Sequence, residues 1–184
     1  MSDERLTWMT YECPVGPLMV VAGPQGIRSI YFPGEPPRLS ESTRQPLPEV
    51  VDQLDAYFAG ERRVFELDLD PRGAPLQKLV WEQLLEIPYG STASYGEVAG
   101  RIDESHYPEG LEPYKRARLV GAAVGRNPIP IVVACHRVIG ADGSLTGFRG
   151  GLERKQLLLE LEGWSGAREP AAKPSPTDQQ LPLL

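Results

Sequence analysis

The sequence predicts an α+β protein: a small N-terminal antiparallel sheet with one helix, followed by a mostly helical C-terminal domain that contains a helix-turn-helix. Two patterns support this fold class. Short segments rich in Val, Ile and aromatic residues, separated by turns containing Gly and Pro, fill the first part of the chain. Apolar residues at helical spacing then dominate the second part. A chain of 184 residues can form one domain or two small ones, and it is long enough to bury a core.

The N-terminal domain is predicted to span residues 1–70. Its first three strands form an antiparallel meander at residues 6–11, 16–22 and 26–32. After a proline-rich connection, apolar residues recur at helical spacing over residues 49–59, and Gly60 ends that helix. Residues 64–69 alternate well enough to predict one more strand. Cys13 lies at a turn, and we interpret it as a structural residue.

The C-terminal domain is predicted to span residues 74–163. Pro75 suits the first turn of its first helix. Ser94 and Glu97 have the spacing of a capping box, which predicts the start of a short second helix. After a polar segment, residues 114–125 form a third helix. Two short helices with an intervening turn, the second of them basic, are typical of a helix-turn-helix.

The net charge of −6 argues weakly against a nucleic-acid partner, but the third helix is a local exception. Four cations and no acid lie between Tyr114 and Asn127: Lys115, Arg116, Arg118 and Arg126. The same helix is rich in Ala and Gly, although glycine within a helix costs about 1 kcal/mol relative to alanine. Tight packing against another helix or close approach of a nucleic-acid backbone would explain this composition, and the positive charge favours the second explanation.

Cys135 and His136 follow the apolar run Ile131-Val132-Val133, which predicts a buried, strand-like segment leading to the thiol. Only a thiolate is strongly nucleophilic, and an ordinary cysteine is mostly protonated at neutral pH. A reactive Cys135 therefore needs His136 as a base and a carboxylate that orients the imidazole. The residues alone do not identify that carboxylate. They leave two interpretations open, a reactive thiol at the floor of a pocket and a buried structural cysteine.

The end of the chain is predicted to hold a leucine-rich helix at residues 152–162, followed by a disordered, proline-rich tail at residues 164–184. The N-terminus lacks the features of a signal peptide, and no apolar run approaches the roughly 18 residues that cross a bilayer. Two distant cysteines do not form a disulfide framework, so we expect a cytoplasmic protein with no membrane partner. The scattered Cys and His residues lack the paired spacings of zinc sites, so no metal is expected.

Several ordered motifs carry a resemblance to a known family. They are NPIPIVVACHRV at residues 127–138, GFRGGL at 147–152, IPYG at 87–90 and SYGEVA at 94–99. These motifs resemble the O6-alkylguanine-DNA alkyltransferases, also called methylated-DNA–protein-cysteine methyltransferases. The match covers about residues 74–163, with a looser match through the preceding strands. The resemblance implies a ribonuclease H-like N-terminal domain and a C-terminal helix-turn-helix alkyltransferase domain.

The resemblance also implies roles for four catalytic residues. Cys135 would attack the alkyl carbon on O6 of guanine, and His136 would act as its base through a water. Glu162 would orient the histidine. Asn127 would fix the turn between the basic helix and the active-site segment.

The implied contacts with substrate and DNA involve a second set of residues. Tyr95 would help to turn out the nucleotide, and Arg118 would fill the space left in the duplex. Val138 and the loop at residues 148–150 would line the pocket, with loop amides meeting O6. The candidate substrate- and DNA-binding residues are Tyr95, Arg118, Val138, Phe148, Arg149, Gly150, Lys115, Arg116 and Arg126.

The function that the resemblance implies is DNA repair by stoichiometric transfer of an alkyl group, such as methyl, from O6-alkylguanine to Cys135. O4-alkylthymine is a second candidate substrate. We expect a monomer that needs no cofactor, binds double-stranded DNA containing alkylated guanine, and flips the damaged base through a minor-groove helix-turn-helix. The alternative is a non-catalytic alkyltransferase-like protein that recognises the lesion, but those relatives lack the cysteine. A thiol hydrolase using Cys135 and His136 is a third hypothesis.

Three features depart from the family pattern. Ala134 stands where the family usually has proline, and Phe148 replaces a common tyrosine. Residues 103–113 are longer than the usual turn of the helix pair and carry four acids: Asp103, Glu104, Glu109 and Glu112. Because carboxylates repel phosphate, we expect this acidic insertion to weaken or redirect duplex binding without abolishing the thiol chemistry.

Overall fold

The computed structural model describes residues 5–34 and 36–166. These residues group into two compact units. The first contains the chain up to Arg72 together with Pro128–Pro130, and the second contains Gly73–Asn127 and the chain from Ile131 onward. Most of the predicted disordered tail, from residue 167, lies outside the described residues. No helix among the described residues is long and apolar enough to cross a membrane.

The first unit contains the predicted meander, a three-stranded antiparallel sheet in the order β1 (Thr7–Tyr11), β2 (Leu18–Gly23) and β3 (Gly26–Tyr31). Val20 lies opposite both Met9 and Ile30, and all three side chains are buried. The predicted helix is also present as α1 (Pro48–Phe58), with Pro48 in its first turn. Its Asp55 accepts a 2.7 Å hydrogen bond from the hydroxyl of Tyr11.

The strand predicted at residues 64–69 is wrong. The segment meets the sheet only at a single bridge between Ile27 and Leu69. Its backbone at Glu66 is held instead by the side-chain amide of Gln53, which accepts from the Glu66 N–H at 2.7 Å and donates to the Glu66 carbonyl at 2.9 Å. The alternating apolar residues are buried, as the pattern predicted. The backbone hydrogen bonds of Glu66, however, go to the side chain of Gln53 and not to a neighbouring strand.

The second unit is mostly helical, as predicted. Its elements are α2 (Pro75–Leu85), β4 (Ala93–Ser94), α3 (Tyr95–Gly100), α4 (Pro113–Gly125), β5 (Val138–Ile139) and α5 (Leu152–Leu161). The capping box at the start of α3 is confirmed, since the hydroxyl of Ser94 accepts from the Glu97 N–H and the Glu97 carboxylate accepts from the Ser94 N–H. Helix α2 packs on α4, and the Trp81 indole donates to the Ala123 carbonyl at 3.0 Å. Helices α3 and α4 form the predicted helix-turn-helix.

The strand-like segment predicted at residues 131–133 is also wrong. These residues are buried, but they form a turn that leads into a short 3₁₀ helix, Cys135–Arg137. Ile131 has φ of 75°, a left-handed conformation that is unfavourable for a β-branched residue. The side chain of Asn127 donates to the Val133 carbonyl at 2.7 Å, so a side chain rather than a neighbouring strand holds this turn. The backbone of this turn is buried and held by a hydrogen bond, so it positions Cys135 and His136, which follow it.

Candidate active site

Helix α5 turns two charged residues toward the protein interior. Its buried positions include Lys155, Leu158 and Leu159, and Glu162 follows at its C-terminal cap. These positions are spaced i, i+3, i+4 and i+7, the spacing of one helical face. Gly163, with φ of 83°, follows the C-terminal cap in the left-handed conformation that commonly ends a helix. A buried carboxylate and a buried ammonium therefore sit two helical turns apart on one face.

The carboxylate of Glu162 is the centre of a buried hydrogen-bond network. His136 Nε2 donates to its Oε1 at 2.8 Å, and Arg137 donates to both oxygens, at 2.8 and 3.0 Å. The backbone N–H of Gly90 donates to Oε2 at 3.2 Å. Although burial opposes ionisation, His136 and Arg137 hold the pKa of Glu162 well below its usual range. Glu162 is therefore ionised at neutral pH.

This network fixes the chemical state of His136. Because a carboxylate only accepts hydrogen bonds, the ring proton lies on Nε2. The other ring nitrogen, Nδ1, is buried and makes no hydrogen bond to the described residues. Burial lowers the pKa of His136, although Glu162 opposes that effect, so the imidazole is neutral at rest. A neutral ring whose Nδ1 can accept a proton is suited to act as a general base.

Cys135 lies beside this base and is itself almost fully buried, with 5% of its surface exposed. Burial raises the pKa of the Cys135 thiol to about 11, although a hydrogen bond from Asn127 and the charge of Lys155 favour the thiolate. The thiol is therefore protonated at neutral pH. It becomes a strong nucleophile only when a base removes its proton.

Arg137 is a member of the site that sequence reasoning missed. Besides its two bonds to Glu162, it donates to the carbonyl of Ile87 at 2.6 Å. The hydroxyl of Tyr89 donates to the Leu161 carbonyl at 3.0 Å, on the last residue of α5. Residues 87–90, the IPYG motif, thus form hydrogen bonds to Arg137, to Glu162 and to the end of α5, which help to hold the carboxylate network in place. The only available signal was that Arg137 directly follows His136 in the most specific motif.

Tyr95 and the loop before α5 come together on one side of the unit. The Tyr95 hydroxyl donates to the Thr146 carbonyl at 3.2 Å. In that loop Phe148 is half-buried, Arg149 is exposed and Gly150 is buried. Val138 is fully buried in β5, directly after the 3₁₀ helix that carries Cys135.

Helix α4 presents a basic face to solvent. The exposed residues of the helix are Pro113, Tyr114, Lys115, Arg118, Leu119, Ala122 and Gly125, and Arg126 follows at its C-terminal cap. Tyr114 is 57% exposed, and a cation–π contact places the Lys115 ammonium 5.5 Å from the centre of its ring. The small residues Ala122 and Gly125 leave the end of this face flat, so a large partner can approach the backbone closely.

The structure does not bring Arg116 onto this basic face. Its side chain is only 19% exposed and forms an ion pair with Glu104 in the acidic insertion. Arg116 Nε donates to the Leu111 carbonyl at 2.8 Å, and the guanidinium lies over the Tyr107 ring. Arg116 therefore secures the insertion, whereas Lys115, Arg118 and Arg126 remain available to a partner.

Comparison with known proteins covers both units. Residues 6–71 match the family model of the 6-O-methylguanine DNA methyltransferase, ribonuclease-like domain. Residues 75–164 match that of the 6-O-methylguanine DNA methyltransferase, DNA binding domain. Among similar proteins, a methylated-DNA–protein-cysteine methyltransferase of Methanosarcina acetivorans is 42% identical, over 83% of this chain and 96% of that protein. One from Mycobacterium tuberculosis is 44% identical, over 84% of this chain and 91% of that protein.

Solved structures show the same similarity. The crystal structure of the M. tuberculosis O6-methylguanine methyltransferase superposes with a TM-score of 0.72 at 43% identity, covering 91% of this chain and 96% of that one. The crystal structure of M. tuberculosis OGT in complex with DNA superposes with a TM-score of 0.74 at 45% identity, covering 88% of this chain and 95% of that one. The mixed α+β fold predicted from the sequence is thereby confirmed.

Proposed function

The chain belongs to the 6-O-methylguanine DNA methyltransferase family, and from that premise we propose that it moves an alkyl group from O6 of guanine in DNA to the sulfur of Cys135. It repairs DNA by alkyl transfer, with the activity of a methylated-DNA–protein-cysteine methyltransferase, and DNA is its partner. One observation carries the assignment to Cys135. On its short 3₁₀ helix, Cys135 directly precedes a neutral imidazole whose tautomer is fixed by a buried, ionised carboxylate.

The proposed reaction begins with removal of the thiol proton. Nδ1 of His136 accepts it, directly or through one water, and the Glu162 carboxylate stabilises the imidazolium that forms. The thiolate then attacks the alkyl carbon, so that an S–C bond forms as the C–O6 bond breaks and its electron pair leaves with the guanine. The departing base takes up a proton from Tyr95, the proposed donor, and the proton that His136 took from the thiol then neutralises the tyrosinate, through water. Because the product is a stable thioether, each molecule reacts once.

The proposed DNA contacts follow from the exposed face of α4. A guanine within a duplex cannot be reached by a buried thiol, so the nucleotide must rotate out, at a cost of a few kcal/mol. In our proposal α4 enters the minor groove, and Arg118 fills the gap that the base leaves. Lys115 and Arg126 contact phosphates on either side. Val138 and the loop at residues 148–150 line the pocket of the rotated base.

Two other functions are weaker. A lesion-recognition protein without chemistry needs no nucleophile, whereas Cys135 lies beside a base. Similar proteins that match over nearly their whole length are named methyltransferases. A thiol hydrolase would use the same Cys135 and His136, but it would release its product and turn over. We further propose that the protein is a cytoplasmic monomer whose substrates include O6-alkylguanine and, as a second candidate, O4-alkylthymine.

The stoichiometry of transfer tests this proposal. A duplex oligonucleotide with one O6-methylguanine is added in increasing excess, and the methyl groups lost from DNA are counted against protein. We expect the count to stop at one per protein molecule. The Cys135→Ser variant should show none, and the matched Cys13→Ser variant should behave like wild type. Continued turnover, on this substrate or on a small ester, would instead indicate the hydrolase.

A further inference from the structure

Tyr114 is an exposed aromatic residue that the proposed function does not use. With 57% of its surface exposed, it is the most exposed large hydrophobic residue in the part of the chain that the structure describes. It lies in the first turn of α4, directly after Pro113. Single exposed apolar residues are common on protein surfaces, so exposure alone assigns no role to this ring. Its neighbours on the helix supply the further evidence.

The Tyr114 ring belongs to the basic face of α4. Tyr114 and Arg118 are four residues apart, and side chains at this spacing lie on the same face of a helix. The ammonium of Lys115 lies 5.5 Å from the centre of the Tyr114 ring, so the aromatic group and the charge project together. Leu119, which is 37% exposed, adds a second apolar group one turn after Lys115. Apolar surface and positive charge are therefore interleaved on the face that is proposed to meet DNA.

This face of α4 is bulky at one end and flat at the other. Tyr114 stands at the N-terminal end, whereas Ala122 and Gly125 leave the C-terminal end without large side chains. The flat end can approach a nucleic-acid backbone closely while the ring at the other end reaches into the groove. A rise of about 1.5 Å per residue separates Tyr114 from Arg118 by about 6 Å along the helix, which is at most roughly two base steps of about 3.4 Å.

We propose that Tyr114 is a second DNA-inserting residue, an apolar wedge within two base steps of the nucleotide that Arg118 replaces. Apolar side chains that enter the minor groove partly unstack neighbouring base pairs and bend the duplex. Less stacking is then left to lose when the damaged base rotates out. The ring contacts sugars and base edges, while Lys115 beside it meets a phosphate. Tyr114 does not touch the reacting atoms, so it is a positioning residue. The inference rests on the proposed entry of α4 into DNA.

The first test is the affinity of the full-length protein for a duplex containing O6-methylguanine, measured by fluorescence anisotropy. A Cys135→Ser background prevents alkyl transfer, so that only binding is measured. We expect Tyr114→Ala to weaken binding about tenfold, a loss typical of removing an aromatic group that stacks on a base. Tyr114→Phe should bind like the parent protein. Leu157→Ala is the matched control, because Leu157 is an exposed apolar residue on α5 rather than on α4. Equal affinity of Tyr114→Ala and the parent would overturn the proposal.

The salt dependence of binding separates the ring from the charge beside it. An apolar contact releases no counterions, so Tyr114→Ala should lower the affinity by the same factor at low and at high salt. Lys115→Ala should instead reduce the slope of log affinity against log salt concentration by about one. If the loss in Tyr114→Ala disappeared at high salt, the ring would act only by holding Lys115, and the proposal would be wrong.

Base stacking near the lesion reports on the wedge directly. The fluorescent base 2-aminopurine, which brightens when it loses its stacking neighbours, is placed at successive positions within three base steps of O6-methylguanine on either strand. With saturating Cys135→Ser protein we expect the fluorescence to rise within two steps of the lesion. The Tyr114→Ala variant should reduce that rise at one position at least, even when it saturates the duplex. Identical profiles for the two proteins would contradict insertion of the ring.

These outcomes distinguish the inference from the proposed function. If Tyr114→Ala behaves like the parent while Lys115→Ala and Arg118→Ala weaken binding, the wedge is wrong and the proposed DNA face of α4 stands. If all three variants bind like the parent, the proposed DNA contacts fail together with the wedge. Failure of the wild type to remove the methyl group would contradict transfer to Cys135 but not insertion of Tyr114. Because Tyr114 is exposed, urea unfolding of Tyr114→Ala should match the parent, which shows that the variant is folded.

Discussion

Three buried polar residues form the hydrogen-bond network that orients the proposed base. His136, Arg137 and Glu162 would each be costly to bury alone, yet together they satisfy one another with hydrogen bonds of 2.8 to 3.0 Å. Their geometry leaves Nδ1 of His136 buried and without a hydrogen bond to the described residues, and in the proposed reaction this nitrogen accepts the proton of Cys135.

Glu162→Gln should slow alkyl transfer and weaken the fold. The variant no longer stabilises the imidazolium, and it leaves the buried Arg137 without its anion, which should cost about 3 kcal/mol of unfolding free energy. The sign of the pH effect follows from the lowered pKa of Glu162. Its stabilisation is complete above the ordinary value near 4.5 and is lost as the pH falls from there toward the folded pKa.

Single-turnover rates and urea unfolding at neutral and acidic pH test that prediction. The stability difference between wild type and Glu162→Gln should shrink on acidification. Glu160→Gln, an exposed neighbour on the same helix, is the matched control and should change little. A transfer rate equal to wild type would remove Glu162 from the mechanism.

The acidic insertion between α3 and α4 is an ordered element. Asp103 caps a 3₁₀ helix, Glu104–His106, by accepting from the Ser105 N–H at 2.9 Å. Tyr107 is buried, and its hydroxyl donates to the Ala99 carbonyl at 3.1 Å. Glu104 is neutralised by Arg116. Of the four acids expected to repel DNA, Asp103, Glu109 and Glu112 are therefore exposed and keep their negative charge. Because Asp103 also caps the 3₁₀ helix, Glu109 and Glu112 are the two that can be replaced without removing that cap.

Replacing both Glu109 and Glu112 with glutamine should tighten DNA binding at low salt. Exposed charges contribute 0.2–1 kcal/mol each, so we expect about a fivefold gain for the pair. The gain should fade as salt screens the charges. Fluorescence anisotropy with an undamaged duplex at low and high salt measures it, and Glu61→Gln in the first unit is the control. Equal affinity of variant and wild type at low salt would show that the insertion does not oppose DNA.

Helices and strands that depend on neighbouring residues were predicted well from the sequence, whereas predictions failed where a contact with a more distant residue determines the structure. The Ser94–Glu97 capping box spans three residues, so it was visible in the sequence and is confirmed. The strand predicted at residues 131–133 failed because Asn127, several residues earlier, supplies the hydrogen bond that a strand would have provided. Burial of apolar residues was read correctly there, but it does not distinguish a strand from a buried turn.

The candidate site shows the same contrast between what local sequence reveals and what depends on contacts between distant residues. The residues themselves indicated His136, and the resemblance supplied Glu162. No local pattern could reveal their contact, which spans 26 positions. Arg137 and Lys155 were missed because charged residues are normally exposed. One signal for Lys155 was present, since it lies on the helical face defined by Leu158 and Leu159.

At the scale of the molecule, the proposed DNA contacts and the proposed chemistry of this acidic protein lie in one unit. The candidate catalytic residues and the basic face of α4 all belong to the second unit. The net charge of −6 would weaken nonspecific attraction to DNA, and in our proposal the exposed basic face of α4 provides that attraction.

The most direct test of this account is the mass of the intact protein after incubation with a duplex containing O6-methylguanine, followed by peptide mapping. We predict that the wild type gains the mass of one methyl group, located on Cys135, and that Cys135→Ala gains none. A methyl group on another residue, or no gain in mass despite repaired DNA, would contradict transfer to Cys135.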